Sequence, residues 1–135
     1  MKICIVVSEF YPKVSKMLIE GALKYLNKRK INNVKLISVP GTYEIPVVIS
    51  NLRDKYDGFI ALGCVIQGKT PHFDFLCNSV FNGLIKMSVD NKLAISNGIL
   101  TCKNKKQALE RANPNKVDKG GSAAEALISV IKIIK

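Results

Sequence analysis

A chain of 135 residues, 47% of them hydrophobic, can bury its own core but is too short for two ordinary domains, so we predict one domain over residues 1–135. No apolar run approaches the roughly 20 residues that span a bilayer, and "MKICIVVSEF" is broken by Ser8 and Glu9, which favours a strand over a secretion signal or a membrane segment. The formal charge of +11 is large, but the lysines are spread without interleaved aromatic residues, which disfavours nucleic-acid binding.

The cysteine pattern indicates a chain with reduced thiols. Cys4, Cys64, Cys77 and Cys102 show no C-x-x-C spacing and mostly lie within apolar segments, as small core residues do. Since disulfides are rare in reducing compartments, we expect a cytoplasmic protein with free thiols. The chain has one histidine and scattered cysteines, so the sequence predicts no metal site.

The first half of the chain alternates short apolar runs with longer amphipathic ones. "KICIVVS" is rich in β-branched residues and predicts a buried strand, and Pro12 follows where a helix can begin. From residue 13 to about residue 30, apolar side chains recur at spacings of three and four, which predicts a helix. "VKLISV" predicts the second strand, "PGT" a turn, and residues 43 to about 55 a helix with Pro46 in its first turn.

The second half repeats this alternation. "GFIALGCVI" predicts the third strand, "QGKTP" a loop, and residues 73 to about 91 the third helix. "LAISNGIL" predicts the fourth strand, followed by helices over about 105–111 and 120–134. Strands that alternate with helices at this pitch form parallel sheets with right-handed crossovers. We therefore predict an α/β fold, a three-layer α/β/α sandwich with a four-stranded parallel sheet of the flavodoxin-like type.

The candidate site lies where the strands end, because open α/β sheets bind ligands beyond the carboxyl ends of their strands. "QGKTPHFDF" at 67–75 follows the third strand and contains His72, the only histidine. We expect Gly68 to let the backbone turn, while Lys69, Thr70 and the helix start offer donors to a phosphate. A lone histidine is more often structural than catalytic, so the residues alone leave both roles open for His72.

The third predicted helix carries more apolar surface than one sheet-facing side needs. Its sequence, "FDFLCNSVFNGLIKMSV", distributes phenylalanine and aliphatic residues around a wide arc. We expect part of this arc to pack against another subunit, which predicts a homo-oligomer. The alternative is a helix that its neighbours cover within a single chain.

Several motifs, in a fixed order, resemble those of one family over nearly the whole chain. They are Phe10 after the first strand, "VPGTYEIP" at 39–46, "ALGCVIQGKTPHFDF" at 61–75, "NGILT" at 97–101, "QALERA" at 107–112 and "DKGGSAA" at 118–124. This combination is similar to that of the lumazine synthase family of riboflavin biosynthesis. The resemblance implies that 5-amino-6-(D-ribitylamino)uracil condenses with 3,4-dihydroxy-2-butanone 4-phosphate to give 6,7-dimethyl-8-ribityllumazine, phosphate and water, without a cofactor.

The resemblance also implies which residues bind the pyrimidine ring and the ribityl chain: Phe10, Thr42, Tyr43, Glu44, Cys64, Val65, Ile66 and Asn97. Phe10 would stack on the ring, and Glu44 would accept hydrogen bonds from ribityl hydroxyls. The strand end at 64–66 would bind the pyrimidine edge mainly through backbone groups.

For the phosphate, the resemblance implies binding by Lys69, Thr70, Arg111 and Lys119, with His72 as the residue that transfers protons. The guanidinium of Arg111 suits bidentate phosphate binding. In this family the site lies between adjacent subunits of a pentamer, and the neighbour supplies the positions that match Asn97, Arg111 and Lys119. A pentamer or an assembly of pentamers is therefore expected, with riboflavin synthase as a candidate partner.

Three positions depart from the family pattern. Glu9 and Tyr11 stand where Arg and Asn are common, and Asn97 stands where an aromatic residue is common. Three other classes are the alternatives: a catalytically inactive scaffold or shell relative, a nucleic-acid-binding module, and a flavin-binding electron carrier, whose phosphate loop would follow the first strand, where "SEFYPK" matches poorly. Since the stacking, ribityl, proton-transfer and phosphate positions are all occupied, the enzyme is favoured over each of them.

Overall fold

The computed structural model describes residues 1–135, in which strands and helices alternate. In chain order they are β1 (Ile3–Ser8), α1 (Pro12–Lys28), β2 (Val34–Val39), a 3₁₀ turn (Thr42–Glu44), α2 (Ile45–Leu52), β3 (Gly58–Ile66), α3 (His72–Asp90), β4 (Ala94–Cys102), α4 (Lys105–Ala112) and α5 (Lys119–Ile134). The alternation follows the predicted order of strands and helices throughout.

The four strands form one parallel sheet in the order β2-β1-β3-β4. Ile3 of β1 lies opposite Val34 of β2 and Gly58 of β3, and Gly58 lies opposite Ala94 of β4. The central strands β1 and β3 are buried along almost their whole length, as expected for strands with helices on both faces. The predicted four-stranded parallel sheet is confirmed.

Two apolar clusters, one on each face of the sheet, form the core. Successive residues of a strand point to opposite faces, so Ile5 packs with α1, α4 and α5, whereas Val6 packs with α2 and α3. Leu18 in the first cluster and Phe59 in the second are fully buried, and such burial contributes about 1.5–3 kcal/mol per side chain. The molecule is therefore the predicted three-layer sandwich.

Element boundaries differ from the predicted ones where proline and strand pairing decide them. α1 begins at Pro12, where the sequence allowed a helix to begin, because proline is favoured at the first helical position, but it ends at Lys28 rather than near residue 30. The helix predicted over 43–55 is divided into the 3₁₀ turn and α2, whose second residue, Pro46, has no N–H to donate to the preceding turn. β4 continues to Cys102 because its pairing with β3 extends to Ile66. The predicted bounds at these places were wrong by one to three residues.

All four cysteines are free and buried, which confirms their predicted place in the core. Burial raises the pKa of the Cys4 thiol to about 11 and that of the Cys64 thiol to about 12. Both are therefore neutral thiols near pH 7, and neutral thiols are poor nucleophiles. No helix is both long enough and apolar enough to cross a membrane.

Candidate active site

A cavity of about 480 Å³ opens at the carboxyl edge of the sheet, where the loops after β1, β2 and β3 meet. Its volume falls within the range of about 300–1,000 Å³ that is typical of small-molecule sites. Eight of the residues that the family resemblance indicates line it: Phe10, Thr42, Tyr43, Glu44, Cys64, Val65, Ile66 and His72. The chain thus brings together residues from three segments that are far apart in sequence. We call this space the His72 cavity.

Phe10 forms the wall after β1 and is largely exposed. The residue is 69% exposed, and its ring meets the Tyr11 ring edge-on, with centroids 5.0 Å apart and planes at 73°. Beneath it, the Ser15 hydroxyl donates to the Ser8 carbonyl, and the Phe10 N–H donates to Ser8 Oγ at 3.5 Å. The turn is therefore anchored to the end of β1, while the ring remains free to stack on a planar ligand.

The turn after β2 supplies the polar wall. Thr42 is buried and Tyr43 is exposed within the 3₁₀ turn. Thr42 can approach β3 because Gly63 has no side chain, since a Cβ there would lie 2.9 Å from Thr42 Cγ2. The Glu44 carboxylate forms no ion pair within the chain, so it is available to accept hydrogen bonds from ligand hydroxyls.

The end of β3 forms an apolar floor. Cys64 is buried and Ile66 half-buried, and the next backbone N–H, that of Gln67, donates to the Cys102 carbonyl at 2.8 Å and holds the floor to β4. Burial, with a smaller effect of the nearby Cys64, raises the pKa of the Tyr11 phenol. Tyr11 therefore stays protonated near pH 7 and can donate a hydrogen bond beside this floor.

His72, the first residue of α3, lines the same cavity and is exposed. Its backbone N–H donates to Thr70 Oγ1 at 3.4 Å, and Pro71 occupies the N-cap position. The imidazole therefore lies among the residues predicted to bind the pyrimidine ring. At that place it can exchange protons with a bound ligand.

The loop before α3 departs from the expectation at Gly68. We expected Gly68 to let the backbone turn, but no glycine in the chain has a positive φ, so this turn does not depend on the conformational freedom of glycine. Lys69 and Thr70 are exposed, and neither lines the His72 cavity. The Lys69 ammonium and the Thr70 hydroxyl are free to donate hydrogen bonds, but outside the wall of the cavity.

Arg111 lies outside the cavity, at the carboxyl end of β4. Its guanidinium Nη1 donates to the Thr101 carbonyl at 3.2 Å and lies 3.9 Å from Cys102 Sγ. The residue stands in the last turn of α4 and is half-buried. These contacts occupy only part of the guanidinium, which has five N–H donors. The remaining N–H groups of the Arg111 guanidinium can bind an anion at the carboxyl edge of the sheet.

Asn97 and Lys119 also lie outside the His72 cavity. Asn97 is exposed on β4 and lines a separate hollow of about 250 Å³ together with Phe81 and Ile85 of α3. Lys119 is the first residue of α5. With Arg111, these are the three residues that the family resemblance assigns to a neighbouring subunit, and the structure separates them from the His72 cavity of their own chain.

Five lining residues were not among the predicted ligand-binding residues: Ser8, Tyr11, Pro40, Gly41 and Leu76. Ser8 ends β1, and Tyr11, Pro40 and Gly41 lie between a strand and the next helix, in segments where the rule that ligands bind beyond strand ends predicts a site. Leu76 follows His72 by four positions and shares its helix face, a spacing that was readable from the sequence.

The position of the cavity in the sheet defines the class of protein. The chain runs from β1 outward to β2 and then returns to continue on the other side with β3 and β4. Open α/β sheets bind their ligands at such a reversal of strand order, and the His72 cavity is lined by the residues that end β1 and β3. The molecule is therefore a flavodoxin-like α/β protein with a cavity at the switch point of its sheet.

Comparison with known sequences identifies the family. A sequence model of the 6,7-dimethyl-8-ribityllumazine synthase family matches residues 1–135. The 6,7-dimethyl-8-ribityllumazine synthase of Bartonella tribocorum is 43% identical over 136 residues, which cover 98% of this chain and 89% of that protein. Those of Streptomyces coelicolor and Desulfovibrio desulfuricans are 37% and 36% identical over 100% of this chain and over 86% and 89% of their own lengths. This chain belongs to the 6,7-dimethyl-8-ribityllumazine synthase family, as its motifs predicted.

Proposed function

We propose that this chain is a transferase of riboflavin biosynthesis that forms 6,7-dimethyl-8-ribityllumazine from 5-amino-6-(D-ribitylamino)uracil and 3,4-dihydroxy-2-butanone 4-phosphate, and that the His72 cavity is its active site. One observation carries the proposal. In a chain that belongs to this family, the stacking, hydroxyl-binding and proton-transfer residues converge from three loops on a single cavity at the switch point of the sheet.

The shape of the cavity suits the pyrimidine substrate. The open face of Phe10 offers a stacking surface above an apolar floor. The Glu44 carboxylate accepts hydrogen bonds from the ribityl hydroxyls, and backbone groups at 64–66 bind the edge of the ring. Held in this way, the substrate amine is directed toward the second substrate, so positioning contributes much of the rate.

The chemistry requires proton transfers and little else from the protein. The substrate amine attacks the ketone, and loss of water gives an imine. Phosphate then leaves by elimination and gives an enol, which tautomerises to a ketone. Attack of the ribitylamino nitrogen on this carbonyl, with loss of a second water, closes the ring. His72 accepts and returns protons in these steps, because an imidazole can act both as a general acid and as a general base.

The phosphate end of the site requires a second subunit. The His72 cavity has no lysine or arginine among its lining residues, although a substrate phosphate needs cationic donors. Arg111 and Lys119 of an adjacent subunit provide cations for the phosphate, and Lys69 and Thr70 of the first subunit complete the phosphate site. Asn97 of the adjacent subunit adds to the part of the site that binds the pyrimidine ring and the ribityl chain. The active assembly is a homopentamer, or an assembly of pentamers, with one site at each subunit boundary.

The surface of α3 supports this assembly. Phe75, Ile85 and Val89 are 67%, 61% and 69% exposed, and large apolar side chains at this density favour burial against another chain. Ile85 also lines the hollow that contains Asn97, so the same contact would bring the neighbour close to that residue. The proposed location is the cytoplasm, which the four free cysteines support.

The direct test is an activity assay. The purified protein is mixed with both substrates, and the fluorescent lumazine product is followed against reactions that lack the protein or either substrate. We expect product formation well above the uncatalysed background. Formation at the background rate, by protein shown to be folded and assembled, would contradict the proposal and favour an inactive scaffold of the same fold.

A further inference from the structure

The start of α5 is built around one carboxylate in an unusual backbone conformation. Asp118 is the N-cap of α5 and has φ 54° and ψ 56°, in the left-handed region, which Asp tolerates better than most non-glycine residues. Its side chain accepts a hydrogen bond from the Gly121 N–H at 3.1 Å. The carboxylate therefore points back over the first turn of its own helix.

The same carboxylate fills the space between α5 and α1. A Cβ added at Gly21 of α1 would overlap Asp118 Oδ1, and a Cβ added at Gly121 of α5 would overlap Asp118 Oδ2. The neighbouring Gly120 packs with its backbone against the Leu18 carbonyl of α1. We call the set Gly21, Asp118 and Gly121 the Asp118 wedge, because both glycines are needed to leave room for the side chain.

The backbone of Asp118 also contacts the loop that leads from α4 to α5. The Asp118 N–H donates to the Asn113 carbonyl at 3.1 Å, and the Lys116 N–H donates to the same carbonyl at 3.0 Å. This loop leaves α4 just after Arg111, and α5 begins with Lys119 directly after Asp118. The contacts of Asp118 therefore lie between the segment that carries Arg111 and the helix that begins with Lys119.

We infer that Asp118 is a positioning residue for phosphate binding, which acts by holding the backbone of Lys119 in a fixed relation to Arg111. The inference rests on the proposed function for the role of these two cations. Asp118 itself does not bind the ligand, because its oxygens are directed to Gly121 and Gly21 inside the α1–α5 contact. A lysine side chain is flexible. If the backbone of Lys119 were not held in place, its ammonium group would therefore occupy many positions relative to Arg111.

Four variants of the assembled protein separate this role from a merely structural one, with inorganic phosphate as the probe in isothermal titration calorimetry. Asp118→Asn keeps the acceptor and tolerates the left-handed conformation, so phosphate affinity should stay within about twofold of the wild type. Asp118→Ala removes the side chain that accepts the hydrogen bond from the Gly121 N–H. Asp118→Gly tolerates the left-handed backbone conformation but also removes that side chain. Both variants should weaken phosphate binding about fivefold to tenfold. Ile128→Val, which trims a buried residue further along α5, should lower stability without changing phosphate affinity.

A double-mutant cycle identifies the residue through which Asp118 acts. In a Lys119→Ala background, adding Asp118→Ala should change the phosphate dissociation constant by less than about twofold, because the group that it positions is gone. The inference is overturned if Asp118→Ala weakens binding by the same factor in both backgrounds, or if Asp118→Gly restores wild-type affinity. The calorimetry does not depend on turnover, so a protein that makes no lumazine but shows this pattern would contradict the proposed function alone.

Discussion

At the scale of single residues, the His72 side chain is the group at the cavity wall best suited to transfer protons. We predict that His72→Ala lowers kcat by about 10²-fold, near the low end for loss of a general acid or base, because the amine and the ketone are already mutually reactive once they are positioned. Turnover and oligomer size should be measured together. Asn78→Ala, at another exposed position of α3, is the control and should leave kcat unchanged. A normal kcat in His72→Ala would make the histidine structural.

A residue-scale pH effect is expected at Asp57, far from the cavity. Its carboxylate accepts hydrogen bonds from the Lys2 N–H at 2.7 Å and from Lys135 Nζ at 3.1 Å, and these contacts, the Lys2 bond first, lower its pKa. A carboxyl group with a lowered folded-state pKa stabilises the fold above its unfolded-state pKa of about 3.9 and loses this contribution as pH falls through the folded-state value.

We therefore predict that Asp57→Asn is less stable than the wild type at pH 7 and that the difference disappears on acidification below about pH 4. The effect should stay below about 1 kcal/mol, because the ion pair is exposed and screened by salt. Urea unfolding at several pH values measures it. A difference that grows as the pH falls would have the wrong sign for this account.

At the scale of elements, α3 has two sides with different partners. Cys77, Val80 and Leu84 are buried against the sheet, whereas Ile85 and Val89 are exposed. An element with this distribution is stable within one chain through its inner face and is available to a second chain through its outer face. The wide apolar arc in the sequence therefore correctly indicated that α3 has apolar surface on the side that does not face the sheet.

We predict that Ile85→Glu disrupts the subunit contact and thereby reduces activity, because a charge buried at an interface without a partner is costly and each site would lose its neighbouring Arg111. Analytical ultracentrifugation should show a shift from oligomer to smaller species. Leu23→Glu is the matched control, since it makes the same change at an exposed apolar position of α1 and should leave the assembly intact. Equal oligomer sizes for the two variants would exclude this face of α3 as the contact.

At the scale of the whole molecule, the sheet could be predicted because its signals are local. The run "GFIALGCVI" coincides with β3 from Gly58 to Ile66, since a strand buried on both faces is a continuous apolar run bounded by polar residues. The 3₁₀ turn at Thr42–Glu44 could not be predicted in the same way. It depends on the approach of Thr42 to Gly63, which is a contact between segments that no local pattern encodes.

The site was predictable in part for a similar reason. The rule that strand ends meet at one edge indicated which loops form the cavity, and the family motifs indicated individual residues such as Phe10 and Glu44. The seating of Asp118 between Gly21 and Gly121 was not visible in the sequence, because α1 and α5 are separated by about ninety residues of chain and meet only after folding.

The measurement that tests the shared active site most directly is complementation between two chains that are each strongly impaired. His72→Ala and Arg111→Ala chains are assembled separately and also co-refolded in equal amounts, with different tags to demonstrate co-assembly. If each site takes its cavity from one subunit and Arg111 from the next, random mixing restores both groups in about one quarter of the sites. The mixture should then recover about a quarter of wild-type activity, whereas each variant alone should stay far lower, with His72→Ala at about one hundredth. Co-assembled chains that show no recovery would contradict the account, because both residues would then have to act within one chain.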